Sequence, residues 1–457
     1  MRDLTQGSVR SHLIAMALPI TIGMLVQTLY LMVDLYFVAG LGKEAVAGVA
    51  AAGNITMLVI ALTQVLGVGT VSLVAHALGA KDKATASRVF EQSVLLGLAC
   101  MVATIVLGLG LGPTYMRGVS ADAAIAQSGV TFILWSLPGL ALQFVLAVAG
   151  SLLRGAGIVR PGMVVQLATV GLNIVLAPVL IAGWGTHHPL GVAGAGLATS
   201  LSVAVGVLLL TRYLRQLGDV VSLSRGLAKP DRELLGRMLR IGLPAGGEFL
   251  IMVLLNTANY ALIRDFGAAA QAGFGIAGRV MQALAMPSMA ISFAIPAVAG
   301  QNFGARRPER VVDTLKQALT LEMVVMAGVV VACQLWAPIP VGWFTSDPQA
   351  VEAGVTILRV VSWNFFGLGI VFACSGMFQA MGNTLPALLS SATRLLTFVL
   401  PALWLSRRAS FQLLDLWHLS VASVFLQAIV SVVLVRRQMG SRLMPMREQA
   451  VVAAGGG

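Results

Sequence analysis

Charged residues are scarce in this chain of 457 residues, where Asp, Glu, Lys and Arg together make up 11%. A typical soluble domain has about 25% charged residues. Hydrophobic residues reach 58%, so an ordinary soluble globular protein is excluded. The net charge of +12 is spread over the loops between apolar runs. We therefore expect no nucleic-acid partner, because the basic loops are better explained as topology determinants that meet anionic membrane lipid.

Cysteine is also rare. The three cysteines, Cys100, Cys333 and Cys374, are odd in number, widely spaced and embedded in apolar segments. That pattern predicts neither a disulfide framework nor a metal site, and we expect these residues to pack as small hydrophobes. The sequence also lacks a glycine-rich phosphate loop with its lysine. Neither an enzyme activity nor a cofactor is predicted, and ATP hydrolysis is not the expected energy source.

Apolar runs of roughly 20 residues, long enough to cross a bilayer, recur along almost the whole length. Such runs must be helices, because backbone groups in lipid have no water to bond. We count twelve, which predicts an all-α protein of twelve transmembrane helices. Most of the 30 Lys and Arg residues fall on one side if the N-terminus is cytoplasmic. The sequence therefore predicts a multi-pass protein of the inner (plasma) membrane with both termini in the cytoplasm.

The second half of the sequence repeats the first at an offset of 225 residues without gaps. Unusual residues coincide in this register: Leu18-Pro19 with Leu243-Pro244, Gly79-Ala80 with Gly304-Ala305, Asp122 with Asp347, and Gly157 with Gly382. Six spans separate equivalent positions, so the halves share one orientation and are related by an axis along the membrane normal. Repeats of this kind suit a transporter in which one bundle rocks against the other around a central site.

The repeat predicts four regions. Residues 1–211 form the N-terminal six-helix bundle and residues 241–437 the C-terminal one. Residues 212–240 form a basic cytoplasmic linker, and residues 438–457 form a cytoplasmic tail.

Several motifs in this order resemble the multidrug and toxic compound extrusion (MATE) family over nearly the whole chain. They are Asp3-Leu4-Thr5-Gln6-Gly7, Ala17-Leu18-Pro19, Val33-Asp34-Leu35-Tyr36-Phe37-Val38, Leu153-Arg154-Gly155-Ala156-Gly157 and Gly191-Val192-Ala193-Gly194-Ala195-Gly196-Leu197-Ala198-Thr199. The resemblance implies export of cationic, amphipathic compounds in exchange for protons or sodium, by alternating access. The aspartate on helix one resembles the DinF-like branch. The helix-ten acid of the NorM-like branch falls near Leu368 here, so that cation site is missing.

Asp34 is the main candidate for cation coupling. A carboxylate inside the bilayer costs about 2.5–3.5 kcal/mol on insertion scales, which makes it a functional candidate by default. The alternative is an interfacial aspartate solvated near a helix end. The resemblance adds Asn173 and Thr199 around it, although either residue could simply make a helix-packing hydrogen bond. The branch pattern has a second acid four residues after the asparagine, where this chain has Ala177. One carboxylate suits a proton better than sodium, so protons are the favoured coupling ion.

Two further positions remain open between a functional and a structural role. Pro19 removes a helical hydrogen bond and is either a hinge or a static kink. Glu248 is either a second acid site for an ion or a cationic substrate, or the partner of Arg279 in a structural ion pair. The residues expected to line the substrate path of the first half are Gln27, Tyr30, Asn54, Gln64, Met24, Met57 and Phe144, chosen because methionine and aromatic side chains adapt to varied apolar cations.

Two alternatives compete with the multidrug exporter. A lipid-linked sugar or lipid flippase of the same superfamily would share the two-bundle architecture but need a basic cavity. A non-transporting membrane receptor or scaffold would need a docking domain. Under the leading hypothesis the partners are small-molecule substrates and membrane lipid, and the protein acts as a monomer.

Overall fold

The computed structural model describes residues 3–120, 122–216, 229–408 and 410–455. These residues form fourteen α-helices and one short 3-10 helix, Arg264–Phe266. The α-helices are α1 Val9–Ala39, α2 Lys43–Gly79, α3 Lys83–Val119, α4 Ala123–Gly155, α5 Arg160–Ile181, α6 Val192–Gln216, α7 Arg232–Ile263, α8 Ala268–Gly304, α9 Pro308–Trp336, α10 Pro338–Gly342, α11 Pro348–Val361, α12 Asn364–Ala380, α13 Leu385–Leu405 and α14 Leu413–Gly455.

The membrane-spanning helices number eleven in the described ranges, with windows of mean hydropathy between 1.5 and 2.6. α11 and α12 together complete a twelfth span, bent by 53° between Val361 and Asn364. The predicted all-α fold with twelve spans is confirmed. The bend was not predicted, because the apolar run crosses it without a proline.

The predicted linker is partly helical, since α6 continues to Gln216 and α7 already begins at Arg232. Residues 217–228 of the linker lie outside the described residues. The predicted tail is also helical as far as it is described, because α14 continues to Gly455.

The helix ends explain why loop residues coincide in the repeat. Asp122 and Asp347 both cap a helix, accepting from the backbone amides of Ile125 at 2.9 Å and Gln349 at 3.1 Å. Carboxylate caps of this kind satisfy amides that have no intrahelical partner. Gly42 and its counterpart Gly267 precede α2 and α8 with φ of 110° and 93°. Side chains rarely adopt that backbone conformation, so both copies need glycine there.

Close helix contacts are also repeated. A methyl group on Gly48 of α2 would lie 2.7 Å from the backbone nitrogen of Gly129 on α4. The equivalent pair is Gly273 of α8 and Gly354 of α11, where the same distance would be 2.9 Å. In both copies, glycine lets the two backbones touch directly, as small residues do in membrane helix packing.

Contacts between Cα atoms divide the chain into two compact units. We call residues 22–242 the N-unit, and residues 3–21 with 243–457 the C-unit. The first part of α1 therefore groups with the C-unit, and the first part of α7 with the N-unit. The domain boundaries predicted from the sequence follow chain order and do not include this exchange.

Hydrogen bonds attach both exchanged segments. In the C-unit, the amide of Leu4 donates to Oε1 of Gln301 at 3.0 Å, and Nη1 of Arg307 donates to the carbonyl of Thr5 at 2.7 Å. In the N-unit, Gln92 of α3 donates to the carbonyl of Lys229 and accepts from the amide of Asp231. Arg88 forms a 2.8 Å ion pair with Asp231.

Candidate cation-coupling site and further polar groups

Asp34 lies in the outer part of α1, within the N-unit. Its Oδ1 atom is buried and has no hydrogen-bond partner among the described residues. An ionised carboxylate accepts hydrogen bonds at both oxygens, and burying it without partners is costly. The geometry therefore favours a carboxyl group that binds a proton or another cation at this oxygen.

Asn173 on α5 is 2% exposed, and neither its amide nitrogen nor its amide oxygen has a partner in the described part of the chain. Buried polar atoms are nearly always paired. An unpaired amide in the middle of a span is therefore unusual and suggests a group held ready for a ligand. Thr199 on α6 differs, because its hydroxyl donates to the carbonyl of Ala195 at 3.2 Å.

The helix register places these three residues at one level of the N-unit. Val38, Ala177 and Ala195 pack together in one buried cluster. Asp34 and Asn173 each precede a cluster member by four residues, while Thr199 follows one by four. Because α6 runs opposite to α1 and α5, all three lie slightly more than one turn, about 6 Å, to the same side of the cluster.

Ala177 occupies the position where the resembled branch has its second acid, and it is fully buried in that cluster. The three predicted residues contribute the Asp34 carboxyl, the Asn173 amide oxygen and the Thr199 hydroxyl to this level. Hard metal cations generally require about six oxygen ligands. These three residues by themselves provide fewer.

The predicted pair of Glu248 with Arg279 is not formed; neither ion pair found in the described ranges contains these residues. Arg279 is exposed on α8. Glu248 instead accepts hydrogen bonds from the hydroxyls of Ser375 on α12 at 3.1 Å and Ser391 on α13 at 3.5 Å. The serines were missed because short hydroxyl side chains on apolar helices give no periodic signal. That Glu248 is a second acid site stays a prediction, with serines as its hydrogen-bond partners in place of Arg279.

Five of the seven residues expected to line a substrate path are exposed or half-buried. Gln27 and Asn54 are exposed and hydrogen-bonded, Gln27 to Gln166 at 2.7 Å and Asn54 to Tyr115 at 3.1 Å. Met57 is exposed, and the remaining accessible positions, Met24 and Gln64, are half-buried.

The other two predicted lining residues are Phe144 and Tyr30. Phe144 is fully buried in a cluster with Val59, Leu66 and Leu140, so in this structure it is a packing residue of the helix core. The side chain of Tyr30 lies outside the described residues. Sequence reasoning missed Gln166 and Tyr115, whose polar groups face two of the predicted lining residues.

Pro19 lies within α1, which continues from Val9 to Ala39 without interruption. Proline has no amide hydrogen, so the carbonyl of Ala15 lacks its helical donor. The grouping of α1 changes from the C-unit to the N-unit between Thr21 and Ile22, two residues beyond Pro19. The weakened turn therefore coincides with the position where the helix changes unit.

A third carboxyl group, Glu322 of α9, was not identified from the sequence. It is fully buried; Ser288 of α8 donates a hydrogen bond to its Oε2, and its Oε1 has no partner among the described residues. A signal was available, because Glu322 is the one acid between Asp313 and Asp347, in the middle of an apolar run. The rule that selected Asp34 and Glu248 would also have selected it.

One family of known proteins matches both halves of the repeat. The MatE family model matches twice, at residues 19–179 and 244–404, and the two matches start 225 residues apart. This confirms the internal repeat and its register.

Curated relatives and solved structures extend over most of the chain. The chain is 28% identical over 418 residues to the multidrug export protein MepA of Staphylococcus aureus (strain MSSA476), covering 89% of each protein. It is 28% identical over 430 residues to the probable multidrug resistance protein NorM of Thermotoga maritima, covering 93% of this chain and 90% of that protein. A multidrug resistance MATE family transporter solved in an outward-facing conformation matches with a TM-score of 0.90 and 28% identity, covering 96% of this chain and 98% of that one.

These matches are to transporters, which confirms that the chain is not an enzyme and that it is a multi-pass protein of the plasma membrane. The family model covers well over half of the chain, in both halves of the repeat. The chain therefore belongs to the MatE family of multidrug and toxic compound extrusion transporters.

Proposed function

We propose that this protein exports cationic, amphipathic compounds in exchange for protons, by alternating access, with Asp34 as the proton-binding residue. The observation that carries the proposal is the buried, unpartnered Oδ1 of Asp34 at the level of Asn173 and Thr199. The relatives named for multidrug export and resistance support the export of small-molecule drugs.

The coupling follows from the chemistry of one carboxyl group. Protonated Asp34 is neutral and is stable in a buried place, whereas ionised Asp34 needs water or a cation. Proton uptake and release therefore alternate with exposure of the residue. The proposed ion is the proton because the three oxygen groups are too few for a well-coordinated sodium ion.

The proposed substrate surface lies on the same unit. Gln27, Asn54 and Met57 are exposed, and Met24 and Gln64 are half-buried. Amide groups orient a ligand by hydrogen bonds, while methionine adapts to different apolar shapes. A negative charge on Asp34 would attract a cation to this surface. The protein is proposed to act as a monomer, which light scattering in detergent would test.

The test is ethidium efflux from proteoliposomes under an imposed pH gradient, with and without sodium. Asp34→Asn removes the titratable group and keeps the side-chain size. We expect at least about a hundredfold loss of proton-driven efflux, the lower end of the range that a missing proton-transfer group produces. The matched control is Asp265→Asn, because Asp265 is exposed and lies beside Arg264 in the short 3-10 helix Arg264–Phe266. Undiminished efflux in D34N would overturn the proposal. Efflux driven by a sodium gradient alone would show that the coupling ion is sodium and not the proton.

A lipid-linked sugar flippase is the second candidate, supported by one observation. Arg394 of α13 has a buried Nε atom without a hydrogen-bond partner among the described residues. Guanidinium groups bind phosphate well. Under this alternative, Arg394→Gln abolishes transfer of a fluorescent lipid-linked phosphosugar between leaflets, and D34N leaves ethidium efflux unchanged.

A further inference from the structure

We propose that Glu322 and Ser288 form a second proton-binding site, in the C-unit, that exchanges its proton with water during the transport cycle. This proposal rests on the proposed function in one respect, the transport cycle that opens the site to water. The presence of the proton can be tested without any transport.

The Glu322 carboxyl group has mostly apolar surroundings. Glu322 is fully buried, and Ser288, the residue that donates to its Oε2, is 1% exposed. One turn further along α9, Met326 packs with Val330, Cys333 and Phe365 in an apolar cluster. A carboxylate with one donor and an apolar wall lacks the hydrogen bonds that an ionised group requires. The neutral, protonated acid needs fewer hydrogen bonds than the carboxylate and carries no buried charge, so this geometry favours it.

No ion pair compensates a charge on Glu322 in the described residues. The helices packed against α9 are α8, α11, α12 and α14. α8 carries one charged residue, the exposed Arg279, and α12 carries none, its one titratable group being the thiol of Cys374. The titratable and charged residues of the others, and of α9 itself, are Glu352, Arg359, Asp415, His418, Arg436, Arg437, Arg442, Arg447, Glu448, Glu309, Arg310, Asp313, Lys316 and Cys333. Neither ion pair in the described ranges includes Glu322, so no cation replaces the proton.

The acid at position 322 has no counterpart in the first half of the repeat. The residues equivalent to Glu322 and Gly369 are Gly97 and Phe144 in the N-unit. There, glycine stands on α3 and the buried ring of Phe144 on α4. In the C-unit the sizes are reversed, since Gly369 of α12 leaves room for the acid. A methyl group on Gly369 would lie 3.3 Å from both Cβ and Oε2 of Glu322. The carboxyl group is therefore a departure from the shared scaffold and has its own space.

The ligand that the oxygen atoms of this site fit is a proton. One carboxyl group and one serine hydroxyl provide three oxygen atoms, too few for a hard metal cation. A proton needs one. Gly369 also lies on the inner half of the span that bends by 53° between α11 and α12, so a change of that bend would move the wall of the site. Movement at a bent span provides the exposure that proton exchange requires.

The test is infrared difference spectroscopy of the purified full-length protein in lipid nanodiscs, comparing wild type with Glu322→Gln. We expect the C=O stretching band of a protonated carboxylic acid in wild type and its loss in E322Q. In D2O the band should shift, and addition of ethidium should speed the shift. A wild-type band that is unchanged in E322Q, or that never shifts in D2O, would overturn the proposal.

Proton release separates this site from Asp34. On addition of ethidium in weakly buffered detergent, E322Q should release about half the protons that wild type releases, because proton binding is linked to ligand binding. Glu352→Gln is the control, since Glu352 is exposed in the same unit. If D34N leaves transport intact while E322Q halves release, the proposed function fails and this inference stands. Wild-type release in E322Q overturns the inference.

A third variant guards against misfolding of E322Q. Ser288→Ala keeps the acid and removes its hydroxyl donor. Its C=O band should move to higher wavenumber, because the hydrogen bond to Oε2 is lost. An unmoved band would contradict the pairing of Ser288 with Glu322.

Discussion

Three carboxyl groups within the membrane-spanning helices differ in how the surrounding helices meet their hydrogen-bonding needs. Glu248 receives two serine hydroxyls, Glu322 receives one, and Oδ1 of Asp34 receives none among the described residues. Asn173 adds an amide with both polar atoms unpaired. Because unpaired buried groups destabilise a fold, the level of Asp34 is where the N-unit gives up stability, as functional sites commonly do.

Asn173→Leu should therefore raise stability and lower activity together. Leucine has a similar size and needs no hydrogen bonds, and each unsatisfied group that it removes contributes about 1–3 kcal/mol. We expect a higher Tm in detergent and at least a tenfold slower ethidium efflux. Asn259→Leu is the control: Asn259, the repeat counterpart of Asp34, already donates to the carbonyl of Leu255 at 2.8 Å. A lower Tm in N173L would mean that the amide has a partner and is structural.

At the scale of elements, the sequence predicts helices better than it predicts their irregularities. The twelve spans follow from apolar length, and the repeat follows from residues such as Gly42 and Gly267, whose positive φ restricts both positions to glycine. The bend after Val361 leaves no such trace, because it requires no proline. The serine partners of Glu248 and the acid Glu322 depend on which helices meet, and a single sequence does not give that.

Pro19→Ala tests whether the weakened turn of α1 is a hinge. Alanine restores the hydrogen bond to the carbonyl of Ala15 and is favoured over proline inside a helix by about 3 kcal/mol. We expect a raised Tm and a several-fold slower efflux, because a stiffer α1 bends less readily. Pro178→Ala, near the end of α5, is the control. Efflux at the wild-type rate in P19A would leave Pro19 as a static kink.

On the scale of the whole molecule, chain order and spatial grouping disagree. Residues 3–21 belong to the C-unit and the first part of α7 to the N-unit. Sequence analysis did not predict this exchange, because its boundaries follow chain order and a single sequence does not give the spatial partners of the two leading segments. Specific bonds decide, and Asp231 makes several of them: it accepts from the amide of Leu234 and from Arg88, and it donates its own amide to Gln92.

Acid should loosen this attachment. The hydrogen bond from the Leu234 amide, followed by the charge of Arg88, holds the pKa of Asp231 below its ordinary value of 3.8. A lowered pKa means that the stabilisation is complete above the unfolded-state value and is lost as pH falls through the lowered folded value. The protection factors of the amides in the first turns of α7 should therefore fall only at strongly acidic pH. In Asp231→Asn the protection factors should be low at neutral pH already, and wild-type protection factors that stay high at every pH would contradict the prediction.

The exchange of segments also constrains how the gene can be divided. A break within residues 217–228 would produce two polypeptides, each carrying a leading segment that belongs to the other's unit. Neither product could complete its own unit, so split halves must be produced together to assemble. A single-repeat chain built in this way could complete its unit only by exchanging its leading segment with a second copy.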